Sequence, residues 1–151
     1  MDSERLDKVI ELLGRIPPII HRKIRRDLFK VVFQRVGEDI APHHLLIMKV
    51  LEEEGVLHIS EIGDMAVISK SQMTHSIDKL IRLGMIERQP DAKDRRRANI
   101  RLTEKGRTTV EEVDRVSKSL MRAKLSSLGD EELKKLSDSL NYIAEVFSKM
   151  E

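Results

Sequence analysis

The most chemically distinctive residues of the chain are five consecutive charged side chains between two short segments that alternate apolar and polar residues. The charged run consists of Lys93, Asp94, Arg95, Arg96 and Arg97. The flanking segments, 85–89 and 98–103, alternate as half-buried strands do, so the run is predicted at the tip of a hairpin. Arginines there suit a nucleic acid duplex, because neutralised phosphates release counterions and a guanidinium fits a narrow minor groove. A solvated turn is the alternative, and the neighbouring residues decide between the two.

A segment with helical spacing precedes this hairpin and has one polar face. Ser69 suits the N-cap of a helix, and Gln72 three residues later completes a capping box, with Gly84 at the other end. At about 100° per residue, one side of the helix is apolar and carries Met73, Ile77, Leu80 and Ile81. The opposite side carries Ser71, His75, Asp78, Lys79 and Arg82. The segment is therefore predicted to bury one face and to present the other.

Several residues of this helix are of types that bind phosphate. Ser69 and Ser71 lie at the predicted N-terminus, where backbone amides also attract anions. Lys79 lies further along the helix and suits another phosphate. Asp78 would be repelled by a phosphate, so we expect it to orient a neighbouring side chain instead.

Three further residues are candidates for contacts with base edges. Gln72, Thr74 and His75 carry amide, hydroxyl and imidazole groups, which donate and accept hydrogen bonds. For His75 the alternative is an ordinary exposed histidine without a partner in DNA.

The elements that must position these residues begin with a second short helix just upstream. Residues 56–59 predict a small strand, and Ser60 is expected to cap a compact helix that ends near Ala66. Two short helices joined by a tight turn, the second with a polar outer face, form a helix-turn-helix. The hairpin that follows would then be a wing.

Longer amphipathic helices flank this unit on both sides. Residues 6–16 and 20–35 carry helical apolar stripes, and Pro17-Pro18 between them predicts a kink or a break. A further helix is predicted to start at Pro42 and to end at Gly55. Two long helices close the chain, and a small winged domain offers too little surface to bury their stripes. We expect an equivalent subunit to cover them, and an intramolecular bundle is the alternative.

The segment from Asp94 to Gly106 resembles the wing of the MarR family of regulators. That wing reads Asp-x-Arg, three residues, an aliphatic residue, x-Leu-Thr, two residues and Gly. Residues 69–75 and 80–88 resemble the recognition helix of the family and its exit into the wing, and the order of the elements also agrees. The resemblance covers nearly the whole chain and is most specific from Ser69 to Gly106.

The resemblance implies a mainly α fold with a small β-wing, a winged helix-turn-helix joined to a helical dimerisation lobe. Residues 37–106 would form the DNA-binding domain, and residues 1–36 and 107–151 the dimerisation region. The expected function is sequence-specific binding of double-stranded DNA as a homodimer on a pseudo-palindromic operator, usually in repression. By position in the family pattern, Arg96 is expected in the minor groove, Asp94 orients it, and His75 reads a base.

MarR-like proteins commonly respond to small anionic aromatic compounds held between the dimer lobe and the winged domain. By position, five residues are candidates for such a crevice, with surface or capping roles as the alternative. They are Arg15, His21, Arg22, His43 and His44.

Three positions depart from what is usual in the family. Ala41 precedes Pro42 where a threonine is frequent, so that helix is expected to lack a side-chain cap. Val67 lies in the turn where many helix-turn-helix proteins have glycine, and because a β-branched residue resists positive φ, the turn is expected to use another geometry. Pro17-Pro18 inside the first helix is also unusual.

Other classes of function are less well supported. The chain contains no cysteine, which excludes disulfides, thiolate nucleophiles and cysteine-ligated metals. No catalytic or phosphate-loop motif occurs, so no enzyme activity, cofactor or metal is expected, and adjacent histidines such as His43 and His44 do not converge on one ion. No apolar run is long enough for a membrane span, so a cytoplasmic location is expected. A winged module that binds DNA without operator specificity, or only contacts proteins, remains the alternative.

Overall fold

The computed structural model describes residues 3–37, 39–90 and 98–150. The helices are α1 (Ser3–Ile20), α2 (Arg26–Val36), α3 (Pro42–Glu54), α4 (Ile59–Ala66), α5 (Lys70–Arg82), α6 (Glu104–Leu125) and α7 (Asp130–Ser148), with a π-helical segment, His21–Arg25, between α1 and α2. The strands are β1 (Leu57–His58), β2 (Ile86–Pro90) and β3 (Ala98–Leu102). The expected mainly α fold with a small β-wing is confirmed.

The first helix differs from the sequence prediction at its prolines. The expected break at Pro17-Pro18 is wrong, because α1 runs through both prolines and ends at Ile20, where the wider π-helical turns begin. The alternative expectation, a kink at the prolines, stays a prediction. Each proline removes a donor to a carbonyl one turn earlier. Every described residue of α1 is exposed, so water can satisfy those carbonyls and the helix continues.

The third helix starts and ends where the sequence predicts. Pro42 is its first residue and Gly55 is its C-cap, with a φ of 85° that glycine adopts without strain. Its inner face carries Ile47, Met48 and Leu51, which are almost fully buried. At its surface, Lys49 Nζ lies 2.5 Å from Asp114 Oδ1 of α6. Helix α3 thus packs against α4 and α5, the two helices of the helix-turn-helix.

The N-cap of α4 and the turn between α4 and α5 differ from the prediction. Helix α4 starts at Ile59 with His58 as N-cap, so the expected cap at Ser60 is wrong, and Glu61 Oε2 accepts the His58 N–H at 2.7 Å. Val67 adopts the left-handed conformation itself, at φ 53° and ψ 44°. The expectation that its branched side chain would force another geometry is therefore wrong. The side chain is 91% exposed, so it avoids clashes with neighbouring elements, and only local backbone strain remains.

The sheet is antiparallel in the order β1-β3-β2. Strands β2 and β3 are paired from Ile86–Leu102 to Pro90–Ala98, and β1 pairs through Leu57 with Ile100. This hairpin follows α5 directly, as predicted. The buried core of the winged part is formed by α3, α4, α5, the strands and the start of α6; its largest members include Ile47, Met48, Leu51, Ile62, Ile77, Leu80, Met85, Ile86, Ile100 and Val110.

The chain divides into two compact parts, Met1–Ser117 and Lys118–Glu151. The functional division predicted from the sequence, with the DNA-binding domain at 37–106, stays a prediction. Helices α1 and α7 contain no buried residue among those described, although both carry apolar stripes. Within the described ranges, no helix has the combination of length and apolar content that spanning a membrane requires.

Candidate nucleic-acid interface

Helix α5 presents a polar face because its apolar face is fixed in the core. Met73, Ile77 and Leu80 are buried, as the helical spacing predicted, and Ser76 is buried beside them. The Ser76 hydroxyl donates to the Gln72 carbonyl at 2.7 Å, which satisfies it within the helix. The outward residues are exposed; they are Ser71, Gln72, Thr74, His75 and Arg82. The predicted recognition residues therefore share one accessible surface.

The start of α5 has the N-cap that its sequence predicts but only half of the expected capping box, because no hydrogen bond from the Ser69 N–H to the Gln72 side chain is formed. Ser69 is the N-cap, and its Oγ accepts the Gln72 N–H at 3.4 Å. The Ser69 and Ser71 hydroxyls also share a hydrogen bond at 3.4 Å, and the Thr74 hydroxyl donates to the Lys70 carbonyl at 3.3 Å. The two serine hydroxyls lie beside the N-terminal amides of the helix, a geometry that favours an anion.

Lys79 is held by a carboxylate from another element. Its Nζ lies 2.5 Å from Asp39 Oδ2, in the connection between α2 and α3. The hydrogen bond and the positive charge of Lys79 hold the pKa of Asp39 below its ordinary value, so Asp39 is ionised at neutral pH. In the free protein, the positive charge of Lys79, which is predicted to bind a phosphate, is thus balanced by Asp39.

The hairpin base carries two further ion pairs. Asp78 Oδ1 accepts from Arg88 Nη2 at 2.8 Å, so the expectation that Asp78 orients a neighbour matches a specific contact from α5 to β2. Arg101 Nε of β3 pairs with Glu87 of β2. The first pair links α5 to the hairpin, and the second links the two strands of the hairpin to each other.

The junction between β3 and α6 is tied to the exit of α5. The Thr103 N–H donates to the Met85 carbonyl at 3.0 Å, and its hydroxyl donates to the Gly84 carbonyl at 2.7 Å. The same hydroxyl accepts the Gly106 N–H at 3.1 Å, and Lys105 Nζ donates to the C-cap carbonyl of α5 at 2.8 Å. A Cβ at Gly106 would lie 2.1 Å from the Met85 oxygen. Residues 103–106, which read Thr-x-x-Gly, therefore hold the end of α5, strand β3 and the start of α6 in contact.

His44 has a structural role at the start of α3. Ala41 offers no side-chain cap, as predicted, and its N–H donates instead to His44 Nδ1 at 2.8 Å. Burial, with smaller contributions from the positive charges of His43 and Lys79, lowers the pKa of His44 to about 4. His44 is therefore neutral near pH 7, which leaves Nδ1 free of a proton and able to accept the bond.

The residues predicted to line an effector crevice do not gather in one place. His43 and His44 line a cavity of about 580 Å³ together with α5 residues that include Ser71, His75 and Lys79. Arg15 lies on the exposed surface of α1, where it pairs with Glu11 at 3.0 Å. His21 and Arg22 are exposed on the π-helical segment, and neither lines that cavity. Around the described side chains, no group of three His, Asp or Glu residues is arranged for a metal ion.

The tip of the hairpin lies outside the described residues. It contains the predicted wing contacts, Asp94, Arg95, Arg96 and Arg97. The paired ends of β2 and β3, at Pro90 and Ala98, are the last described positions on either side of it.

Three features of this surface were missed by reasoning from the sequence. Asp39 is separated from Lys79 by 40 residues, and nothing in the local pattern marks the pair. Thr103 and Gly106 were part of the family resemblance, but the sequence does not show that Thr103 hydrogen-bonds to Gly84 and Met85. The bond to His44 Nδ1 has a detectable signal, since an alanine N-cap followed at the third helical position by a polar side chain is a variant of the capping box.

Comparisons with known proteins agree with this geometry. The family described as a winged helix DNA-binding domain matches residues 41–106. The transcriptional repressor MdtR of Bacillus subtilis is 32% identical over 96 residues, which are 64% of this chain and 62% of MdtR. The transcriptional regulator FarR of Neisseria gonorrhoeae is 30% identical over 105 residues, which cover 63% of this chain and 72% of FarR. The chain thus spans less than two thirds of the length of MdtR.

Solved structures extend the likeness to the flanking helices. A MarR family protein from Bacillus stearothermophilus superposes with a TM-score of 0.74 at 23% identity, covering 99% of both chains. A mutant of MarR from E. coli complexed with operator DNA superposes with a TM-score of 0.66 at 20% identity, covering 91% of this chain and 96% of that one. The sequence matches and the shared fold establish that the chain belongs to the MarR family of winged helix-turn-helix transcriptional regulators.

Proposed function

We propose that this protein is a sequence-specific regulator of transcription that binds double-stranded DNA as a homodimer and represses the genes it covers. The observation that carries the proposal is the exposed polar face of α5, held outward by its buried face and coupled to the adjacent hairpin. Gln72, Thr74 and His75 on this face are proposed to contact base edges in the major groove. Ser69, Ser71 and Lys79 are proposed to contact phosphates.

The hairpin tip supplies the second contact in this proposal. Arg96 would enter the minor groove, Asp94 would orient it, and Arg95 and Arg97 would contact the backbone. Support comes from the antiparallel pairing of β2 with β3 directly after α5, and from the operator complex formed by a mutant of E. coli MarR, which shares the fold. The function proposed is binding, and no catalytic step is assigned to any residue.

The proposed dimer rests on the exposed apolar stripes of α1 and α7. These stripes include Leu6, Val9, Ile10, Leu13, Leu140, Ile143 and Phe147. Exposed apolar surface on this scale marks a contact with another chain more often than a free surface. A two-fold dimer would present two copies of α5, so the operator is proposed to be a pseudo-palindrome with half-sites about one helical turn apart.

The proposal is tested by selecting bound sequences from random duplexes with the purified protein. We expect an inverted repeat, bound at least about a thousandfold more tightly than random DNA. His75→Ala should relax the preference at one base pair in each half-site, whereas His21→Ala, which removes an exposed histidine outside α5, should not. Binding without an enriched sequence would favour an architectural role, and absence of binding at low salt would favour a protein-contact module.

A small anionic aromatic effector is a separate part of the proposal. His43 and His44 border the cavity beside α5, so a ligand there would compete with the DNA-contacting face. Titrating the operator complex with phenolic carboxylates tests this, with release of DNA as the expected result. No release by any compound of the class would contradict the proposed effector and leave the DNA-binding function intact.

A further inference from the structure

The ion pair between Asp39 and Lys79 lies on the surface that is proposed to meet DNA. Asp39 belongs to the connection before α3 and is 93% exposed at its side chain, whereas the Lys79 side chain is 28% exposed. Lys79 stands on α5 near His75, and both line the same cavity. An acidic side chain so placed would face the phosphates of a bound duplex.

The pair contributes little to the stability of the fold. Exposed ion pairs contribute little net free energy of folding, because water screens both charges and holding the side chains in place costs entropy. A carboxylate with this exposure makes no core contact that would require its charge. The position of Asp39 is therefore better explained by what it does to the charge of Lys79.

We propose that Asp39 acts as an internal substitute for a DNA phosphate at Lys79, and thereby reduces the attraction of the protein for DNA of any sequence. This inference rests on the proposed DNA-binding function and goes beyond it by naming a residue that contacts no base and sets the general affinity for DNA. A duplex must displace Asp39 before a phosphate can bind Lys79, so the exchange releases few counterions. Contacts with base edges are unaffected, so binding to operator and to random DNA is weakened by about the same factor.

Asp39→Asn tests the idea because it keeps the shape of the side chain and removes its charge. Affinity for a random duplex should rise roughly tenfold at low salt, since a dimer frees two lysines. The slope of log affinity against log salt should become steeper by up to about two. Operator affinity should rise by about the same factor, so the ratio of operator to random affinity should stay unchanged.

Two further variants distinguish an effect of the Asp39–Lys79 pair from an effect of the net charge of the protein. Glu53→Gln removes one negative charge from the exposed end of α3, about 16 Å along the helix from Pro42, and should have little effect on either DNA. Lys79→Gln should remove most of the gain in the Asp39→Asn background and cost much less in the wild-type background. That difference is the coupling between the two side chains.

The outcomes distinguish this inference from the function on which it rests. Weaker binding by Asp39→Asn would show that Asp39 orients Lys79 towards DNA, and an equal gain with Glu53→Gln would reduce the effect to net charge. Either result, or no change, overturns the inference while wild-type binding stands. Failure of the wild-type protein to bind operator or random DNA at low salt would overturn the proposed function itself. Circular dichroism of each variant checks that the fold is retained.

Discussion

The winged part of the chain and its terminal helices carry similar amphipathic sequences, but the apolar side chains are buried in the first and exposed in the second. In the winged part, Ile77 and Leu80 of α5 are fully buried. In α1 and α7, residues at equivalent spacing are open to solvent, with Ile10 58% and Leu140 54% exposed. The winged part thus closes a core from its own elements, whereas the described residues of α1 and α7 leave their apolar faces uncovered.

This difference shows what hydrophobic spacing can and cannot specify. A stripe with a period of about 3.6 residues identifies a helix and the face that seeks burial, but it does not identify the surface that provides it. For α5 that surface is supplied by neighbours within the chain, which include α4 and β2. For α1 and α7 we propose a second copy of the chain.

The largest expected effect comes from placing charge on the stripe of α7. The double variant Leu140→Glu/Ile143→Glu should be monomeric at micromolar concentration by sedimentation, because burying two unpaired carboxylates per subunit exceeds the free energy of a dimer. Operator affinity should fall by about a hundredfold or more, since the two half-sites would then be bound independently. Asn141→Glu, on the opposite face of α7, is the matched control and should remain dimeric.

A dimer that survives the double substitution would contradict this account. The dimer interface would then lie outside the apolar stripe of α7, and that stripe would stay exposed in the dimer.

The elements of the winged part could be predicted because local and global preferences agree there. Pro42 and Gly55 bound α3, Ser69 caps α5, and the period of two around the charged run marks the hairpin. Each signal lies within a few residues of the structure it specifies. The buried positions of α5 followed from the same reasoning, since the apolar side of an amphipathic helix faces a core.

The features that could not be predicted depend on residues far apart in the sequence or on tolerated strain. The pairing of Asp39 with Lys79 depends on how α3 packs against α5. Val67 adopts an unfavourable conformation because the packing of α4 and α5 fixes the turn, against the local preference. The continuity of α1 through its prolines depends on exposure, which the sequence did not reveal.

Gly106→Ala should produce the second largest effect, within the winged part. The new Cβ would lie 2.1 Å from the Met85 oxygen and 2.8 Å from Leu102 Cδ1, so the strand and α6 must separate. We expect a loss of about 3 kcal/mol or more in the free energy of unfolding, measured by chemical denaturation. Gly14→Ala in α1 is the control, because nothing lies within 4 Å of its Cβ. It should be neutral or stabilising by up to about 1 kcal/mol; a large loss there would reveal a close neighbour of α1.

Acid should destabilise the winged part through His44. The folded pKa is about 4, below the ordinary value of 6.5, so between these values the unfolded chain binds a proton that the folded chain excludes. Stability should therefore fall as the pH drops from about 6.5 towards 4, by at most about 3 kcal/mol. In His44→Gln the amide oxygen can still accept the Ala41 N–H, so this part of the pH dependence should disappear. His43→Gln, which leaves that bond in place, should retain it, and equal pH profiles for all three proteins would contradict the assignment.

The smallest effect is expected at the turn of the helix-turn-helix, where the winged part contains local strain. The left-handed conformation of Val67 costs conformational free energy, and burial does not offset this cost because the side chain is 91% exposed. Asparagine tolerates this conformation, so Val67→Asn should raise the free energy of unfolding by about 1 kcal/mol. Val67→Ile keeps the branch at Cβ and should bring no gain. If Val67→Asn instead lost stability, or weakened DNA binding while Val67→Ile did not, the exposed valine would have a partner outside the chain, and the winged part would resemble the terminal helices at that position.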